Sequence, residues 1–122
     1  MKILLSIKPE YVENILNGSK KYEFRKRIAS KHIDTIVIYS SSPKKKVVAE
    51  VKVMDTISMS PSALWEKTKK EAGISRTKFR EYFRGCIMAH TYQLGEVKVY
   101  NEPKTLEDFN ISHAPQSFVY LK

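Results

Sequence analysis

The sequence predicts an α+β fold in which a curled or barrel-like mixed sheet carries helices at its rim. Three observations predict it. First, 122 residues, 42% hydrophobic and 29% charged, suit one domain over residues 1–122 with one core. Second, the apolar pattern changes period along the chain, in the order strand, helix, several strands, two helices, strands. Third, proline and serine start signals and glycine stop signals bracket each helical stretch.

Each element has its own signal. KILLSI (2–7) is a buried strand. Pro9 opens a helix whose apolar face is Tyr11, Val12, Ile15 and Leu16, and Gly18 ends it. From Lys20 the period is two, with Tyr22 and Phe24 inward and Lys21, Glu23, Arg25 and Arg27 on the opposite face. Residues 33–39 (IDTIVIY) form a central strand, SSSPKKK (40–46) a turn with a basic tip, and 47–54 an alternating strand that closes a hairpin. Ser60-Pro61 caps a helix carrying Leu64, Trp65 and Thr68, which stops at Gly73. Ser75 caps another, with Phe79, Tyr82 and Phe83 on its apolar side and Gly85 at its end. Residues 87–100 return to strand, in two pieces around Gly95. Thr105 and Asp108 have capping-box spacing around a short helical turn, and SFVYL (117–121) is a last strand.

Composition narrows the chemistry. Twenty-two basic against thirteen acidic residues give a net charge of +9, a field that attracts polyanions, nucleic acid first and an anionic membrane surface second. No stretch approaches the roughly 18 apolar residues that span a bilayer, and the N-terminal apolar run is cut short by Lys8 and Pro9, so a cytoplasmic protein with no membrane partner is expected. Cys86 is the only cysteine, and His32, His90 and His113 lack ligand spacing with it, so neither a metal nor a disulfide is expected. No phosphate-loop glycine pattern and no GxSxG occur, and no cofactor is implied.

The remaining candidate is GSKKYEFRKR (18–27), five basic residues around Glu23. One reading is a solvated charge ladder. The other is the wall of an anion-holding cleft. Lys20 separates them: strict alternation puts it on the side of Tyr22 and Phe24, where burial would lower its pKa, as a catalytic lysine requires. The same alternation sets Lys20 opposite Glu23 and Arg25, so all three share a cleft only if the chain is distorted near Gly18. Arg76, Arg80 and Arg84 recur every four residues as a second basic stripe, a solvated face or a set of phosphate contacts beside Lys44, Lys45 and Lys46. Tyr39, Tyr92 and Tyr120 are candidates for stacking on bases, although most of the seven tyrosines are expected in the core.

Gly18-Ser19-Lys20-Lys21-Tyr22-Glu23-Phe24-Arg25 resembles the GxKxxExR motif of the ASCH domain, a family with a PUA-like fold. The flanks are similar too: Ser6-Ile7-Lys8-Pro9, Ile38-Tyr39 before the serine turn, Leu64-Trp65, and Pro115-Gln116-Ser117-Phe118. The resemblance covers the whole chain and is to the small stand-alone members. It implies a PUA-like small mixed β-barrel with peripheral helices and a motif-lined cleft that binds RNA or a nucleotide. Taken with the arginine stripe and the tyrosines, the motif and its flanks give Lys8, Lys20, Glu23, Arg25, Tyr39, Ser41, Arg76, Arg80, Arg84 and Gln116 as candidate binding residues. Some small relatives are N4-acetylcytidine amidohydrolases and some ribonucleases. In the amidohydrolase branch the motif lysine corresponds to Lys20, a threonine stands at the position of Glu23, and a helical glutamate falls near Glu71. If the chain is an enzyme, Lys20, Glu23 and Glu71 are its catalytic candidates.

Overall fold

Six strands in the order β2-β5-β4-β3-β1-β6 make one sheet, flanked by three helices; the computed structural model describes residues 1–122. β1 (Lys2–Ile7) runs parallel to β3 (Thr35–Ser40) and antiparallel to β6 (Val119–Leu121). β3 pairs antiparallel with β4 (Lys46–Met59), β4 with β5 (Ala89–Lys104), and β5 with β2 (Tyr22–Arg25). β2 and β6 are the two edges of this ladder, so closure into a barrel is no part of the strand pairing.

The helices sit where their signals place them. α1 (Pro9–Leu16) starts on proline and buries Val12 and Ile15; Gly18 follows at a φ of +86°. α2 (Pro61–Thr68) is capped by the Ser60 hydroxyl, which accepts from the Ala63 N–H at 3.4 Å, and a 3-10 turn (Lys69–Glu71) follows. α3 (Arg76–Tyr82) is capped by Ser75, whose hydroxyl accepts from the Lys78 N–H at 3.1 Å. Thr105 and Asp108 form the reciprocal box: the Thr105 N–H donates to Asp108 Oδ2 at 2.9 Å and the Asp108 N–H to Thr105 Oγ1 at 3.2 Å.

Two apolar clusters position the site. Ile3, Leu5, Ile36 and Ile38 of the sheet meet Val12 and Ile15 of α1 in the main core. Phe24, Ile57 and Ala89 meet Leu64 of α2, Phe79 of α3 and Phe83 just after it in the second. Little of β2 is left to solvent: Phe24 packs under α3, and Glu23 on the opposite face is only 6% exposed, which is not the solvated charge ladder that was one of the two readings of this stretch. The second long strand is also different from expectation. It runs unbroken through Gly95, because the missing side chain makes room for Met54; a Cβ there would lie 2.7 Å from the Met54 sulfur. The register with β4 nevertheless shifts there: Val51 pairs with Val97 but Val53 with Leu94, so the extra residue lies on β5 around Gly95, and further shifts fall between Val47 and Ala49 and between Val53 and Asp55 of β4.

Candidate functional site

A cavity of about 520 Å³ opens between the end of β1, α1, β2 and α3. The motif reaches it in two ways. Lys20 precedes β2: its N–H donates to the Asn14 carbonyl at 2.9 Å, folding the turn after Gly18 back onto α1. Glu23 and Arg25 then follow on β2 itself. The distortion near Gly18 is therefore a turn, and Lys20, Glu23 and Arg25 all line one cavity, together with Lys8 at the start of α1.

Lys20 is 3% exposed and forms no salt bridge within 4 Å. Its Nζ donates to the Ala72 carbonyl at 2.9 Å and lies 4.9 Å from the Phe24 ring centre and 5.2 Å from that of Tyr11. Two aromatic faces and a carbonyl thus replace water around the ammonium. Burial pushes its pKa below the ordinary lysine value, the Glu23 carboxylate pulls it back up, and the Arg25 charge adds to the lowering. The linker between α2 and α3 holds this lysine. Gly73, at φ +65°, is so close that a Cβ there would meet Lys20 Cβ at 2.3 Å, and the Lys21 N–H donates to the Glu71 carbonyl at 2.8 Å.

Arg25 and Glu23 form a pair with capacity left over. Arg25 Nε and Nη2 approach Glu23 Oε2 at 3.0 and 2.8 Å, and Nη2 also donates to the Ser6 carbonyl at 3.0 Å. Nη1 and Glu23 Oε1 make no hydrogen bond within the chain. The site therefore presents one guanidinium edge, one carboxylate oxygen and an ammonium with two N–H groups unspent. The cavity wall carries Lys8, Lys20, Arg25 and Lys78 against Glu10, Glu23 and Glu81, so its charge is mixed despite the basic surface.

The α3 side of this wall holds residues that the motif does not include. Lys78, Glu81 and Tyr82 face the cavity, although periodicity puts Tyr82 on the apolar side of its helix. Its hydroxyl accepts from the Lys26 N–H at 3.3 Å, and burial raises its pKa. Tyr11, also read as core, is on the wall from α1. Only the apolar periodicities of the two helices pointed at these residues, and periodicity does not say which helix will face which.

The other expected residues lie apart from the cavity. Glu71 is exposed on the 3-10 turn, and it is its backbone carbonyl, not its carboxylate, that meets the motif. Tyr39 is buried in β3 against Leu4, Val37 and Val47. Ser41 begins the β3–β4 turn, its N–H donating to the Ile7 carbonyl at 2.9 Å, and Gln116 is exposed before β6. Tyr92 is 1% exposed and its hydroxyl accepts from the Ala29 N–H, so it offers no stacking face. Tyr120 is half-buried on β6 beside Ser30 and Lys31. Arg76 and Arg80 are on the far side of α3, and Arg84 follows the helix; none of the three lines the cavity. No three histidine, cysteine, aspartate or glutamate side chains converge as metal ligands. No helix is long and apolar enough to cross a membrane.

An ATP synthase subunit alpha of Ureaplasma parvum is 31% identical over 121 residues, covering 98% of this chain but 15% of the relative. A large ribosomal subunit protein uL22 of the same species is 28% identical over 121 residues, and this chain spans 39% of its length. An ASCH domain-containing ribonuclease of Zymomonas mobilis is 28% identical over 123 residues, covering 98% of this chain and 83% of the relative. The crystal structure of ASCH from Zymomonas mobilis superposes with a TM-score of 0.90 at 27% identity, over 99% of this chain and 87% of that one. The ASCH domain model matches residues 5–111, which include both helices of the cavity wall and the whole motif, and the chain belongs to the ASCH domain family.

Proposed function

We propose that this chain binds RNA, holding one nucleotide in the cavity built on its GxKxxExR motif. The observation that carries the reading is the convergence of Lys20, Glu23 and Arg25 on one cavity of about 520 Å³, a size typical of small-ligand sites. Arg25 Nη1 and the Lys20 ammonium offer donors to a phosphate or a base carbonyl. Glu23 Oε1 offers an acceptor to an exocyclic amino group, as carboxylates do toward cytosine N4. The mixed charge of the wall suits one anionic group beside a polar base better than a long run of phosphates. The ribonuclease relative, aligned over 98% of this chain, supports an RNA ligand.

The test is affinity for short RNA as a function of salt, with Lys20→Ala and Arg25→Ala beside the wild type. Binding that weakens linearly on a log–log plot and is lost in both variants is expected. No binding at low salt, or binding indifferent to both substitutions, overturns the reading.

One observation favours a second reading, cleavage of RNA or of a modified nucleoside such as N4-acetylcytidine. Lys20 is a buried amine with a lowered pKa and no carboxylate partner, suited to act as a general base. Arg25 would then stabilise charge developing in the transition state. Glu71 is too exposed to serve as the acid, which leaves Glu23, Glu10 and Glu81 on the wall. Turnover by purified protein that vanishes in both Lys20→Ala and Lys20→Arg supports this reading, since a guanidinium does not release its proton. Turnover retained in Lys20→Arg excludes lysine as the base.

A further inference from the structure

A second concavity of about 420 Å³ lies between the outer faces of α2 and α3, on the opposite side of α3 from the cleft. Its floor is aromatic. Trp65 lies 5.1 Å, centre to centre, from Phe79, which lies 4.9 Å from Phe83. The two phenylalanines are buried, so the half-buried indole of Trp65 is the ring whose surface reaches the pocket. The indole N–H donates no hydrogen bond within the chain.

The rim is basic. Arg76 and Arg80 are exposed, one turn apart on α3, and neither forms a salt bridge. Glu66, the one acid at the rim, is taken by Lys69, whose ammonium reaches its Oε2 at 2.6 Å. Two guanidinium groups with no salt bridge, beside an accessible ring, are the elements of a base-stacking site even though Arg76 also feels the Glu66 charge: the ring takes a base of any kind and the cations take the phosphates that flank it.

We propose that this pocket is a second nucleotide subsite, in which a base of single-stranded RNA stacks on Trp65 while its flanking phosphates meet Arg76 and Arg80. The inference rests on the reading of the cleft as an RNA site. α3 is the wall between the two pockets, with Lys78 and Tyr82 on one side and Arg76 and Arg80 on the other. A strand anchored in the cleft reaches the second pocket by crossing a single helix, about 10–12 Å across. A ligand of one or two nucleotides fills the cleft alone; a longer strand fills both.

Trp65 is the only tryptophan, so intrinsic fluorescence reports this pocket directly. The experiment titrates the wild type and the Arg76→Gln/Arg80→Gln double variant with a mixed-sequence RNA 12-mer and with dinucleotides of the same composition. The 12-mer should shift or quench Trp65 emission and the dinucleotides should not. The double variant should bind the 12-mer about tenfold more weakly at low salt, with a log–log salt slope shallower by about 1.4, two contacts at about 0.7 each. Its dinucleotide affinity should be unchanged. A 12-mer that binds without altering Trp65 emission, and as tightly to the double variant, overturns the second subsite and leaves the cleft reading intact. A wild type that binds neither ligand overturns both. Equal weakening of 12-mer and dinucleotide in the double variant also overturns it, because the arginines would then act on the cleft.

Discussion

Gly73→Ala tests how tightly the α2–α3 linker holds Lys20. A Cβ at position 73 would lie 2.3 Å from Lys20 Cβ, 2.5 Å from Cγ and 2.8 Å from Cα. The last of these is backbone, so a change of Lys20 rotamer does not relieve the contact. The φ of +65° adds a second cost, about 1–2 kcal/mol for a residue with a Cβ in the left-handed region. Forcing extra volume into a packed site costs about 1–3 kcal/mol. Together they predict a loss of about 2–5 kcal/mol, a large share of the roughly 5–15 kcal/mol that holds a domain folded. Gly85→Ala is the control: its φ is +82° but nothing lies within 4 Å of the added Cβ, so it carries the backbone cost alone. The assay is urea unfolding of both variants, reading the midpoint at unchanged slope. Equal losses in the two, or a Gly73→Ala loss under about 1 kcal/mol, would refute the claim that this glycine exists to let the linker close on Lys20.

Two other outcomes follow from the same geometry. Lys20→Met removes a buried charge that burial disfavours; the folded-state pKa is lowered, so the unfolded chain binds more protons across the interval up to the ordinary value of about 10.4. Wild-type stability therefore rises with pH through that interval. The variant should be the more stable protein at neutral pH, with an advantage that shrinks as pH approaches 10.4, and should lose RNA affinity; melts at pH 7 and pH 10 check this, and an advantage that stays constant would show that the charge is not what it relieves. Tyr92→Phe should cost about 1–2 kcal/mol, because the Ala29 N–H loses its acceptor at 2.9 Å in the core, and should leave RNA affinity untouched in a binding titration, since that ring is no stacking platform.

What the sequence made legible was local. Pro9, Ser60 and Ser75 mark helix starts and Gly18 a helix end because each acts within one turn of its own position. Lys20 was legible for a related reason: a lysine four residues before Phe24, on the same side by alternation, lies over the Phe24 ring in space. Glu23 was named as a cleft residue by the motif, but its burial was not legible, because period two gives the face a residue takes and not what covers it. Both faces of β2 are roofed, one by α3 and the other by the end of β1, whose Ser6 carbonyl shares Arg25 with Glu23. The arginine stripe had the same limit: spacing put Arg76 and Arg80 on one face of α3, but only packing against Leu64 and Trp65 of α2 turns that face away from the cleft.

The net charge of +9 suits a polyanionic partner, but it does not describe the lining of the cavity. Four basic and three acidic side chains line the cavity, so most of the excess positive charge lies elsewhere on the surface. Long-range attraction and selection at the site are then separate physical tasks. Dispersed lysines and arginines raise the local concentration of any polyanion and act equally on every sequence, within a Debye length of about 10 Å at 0.1 M salt. On the proposed reading, choice among ligands falls to groups with fixed directions: the Arg25 edge held by Glu23 and the Ser6 carbonyl, the free Glu23 oxygen, and the Lys20 ammonium held by the Ala72 carbonyl between two rings. Salt should therefore weaken long RNA much more than a dinucleotide, since a ligand confined to the cleft releases few counterions on binding.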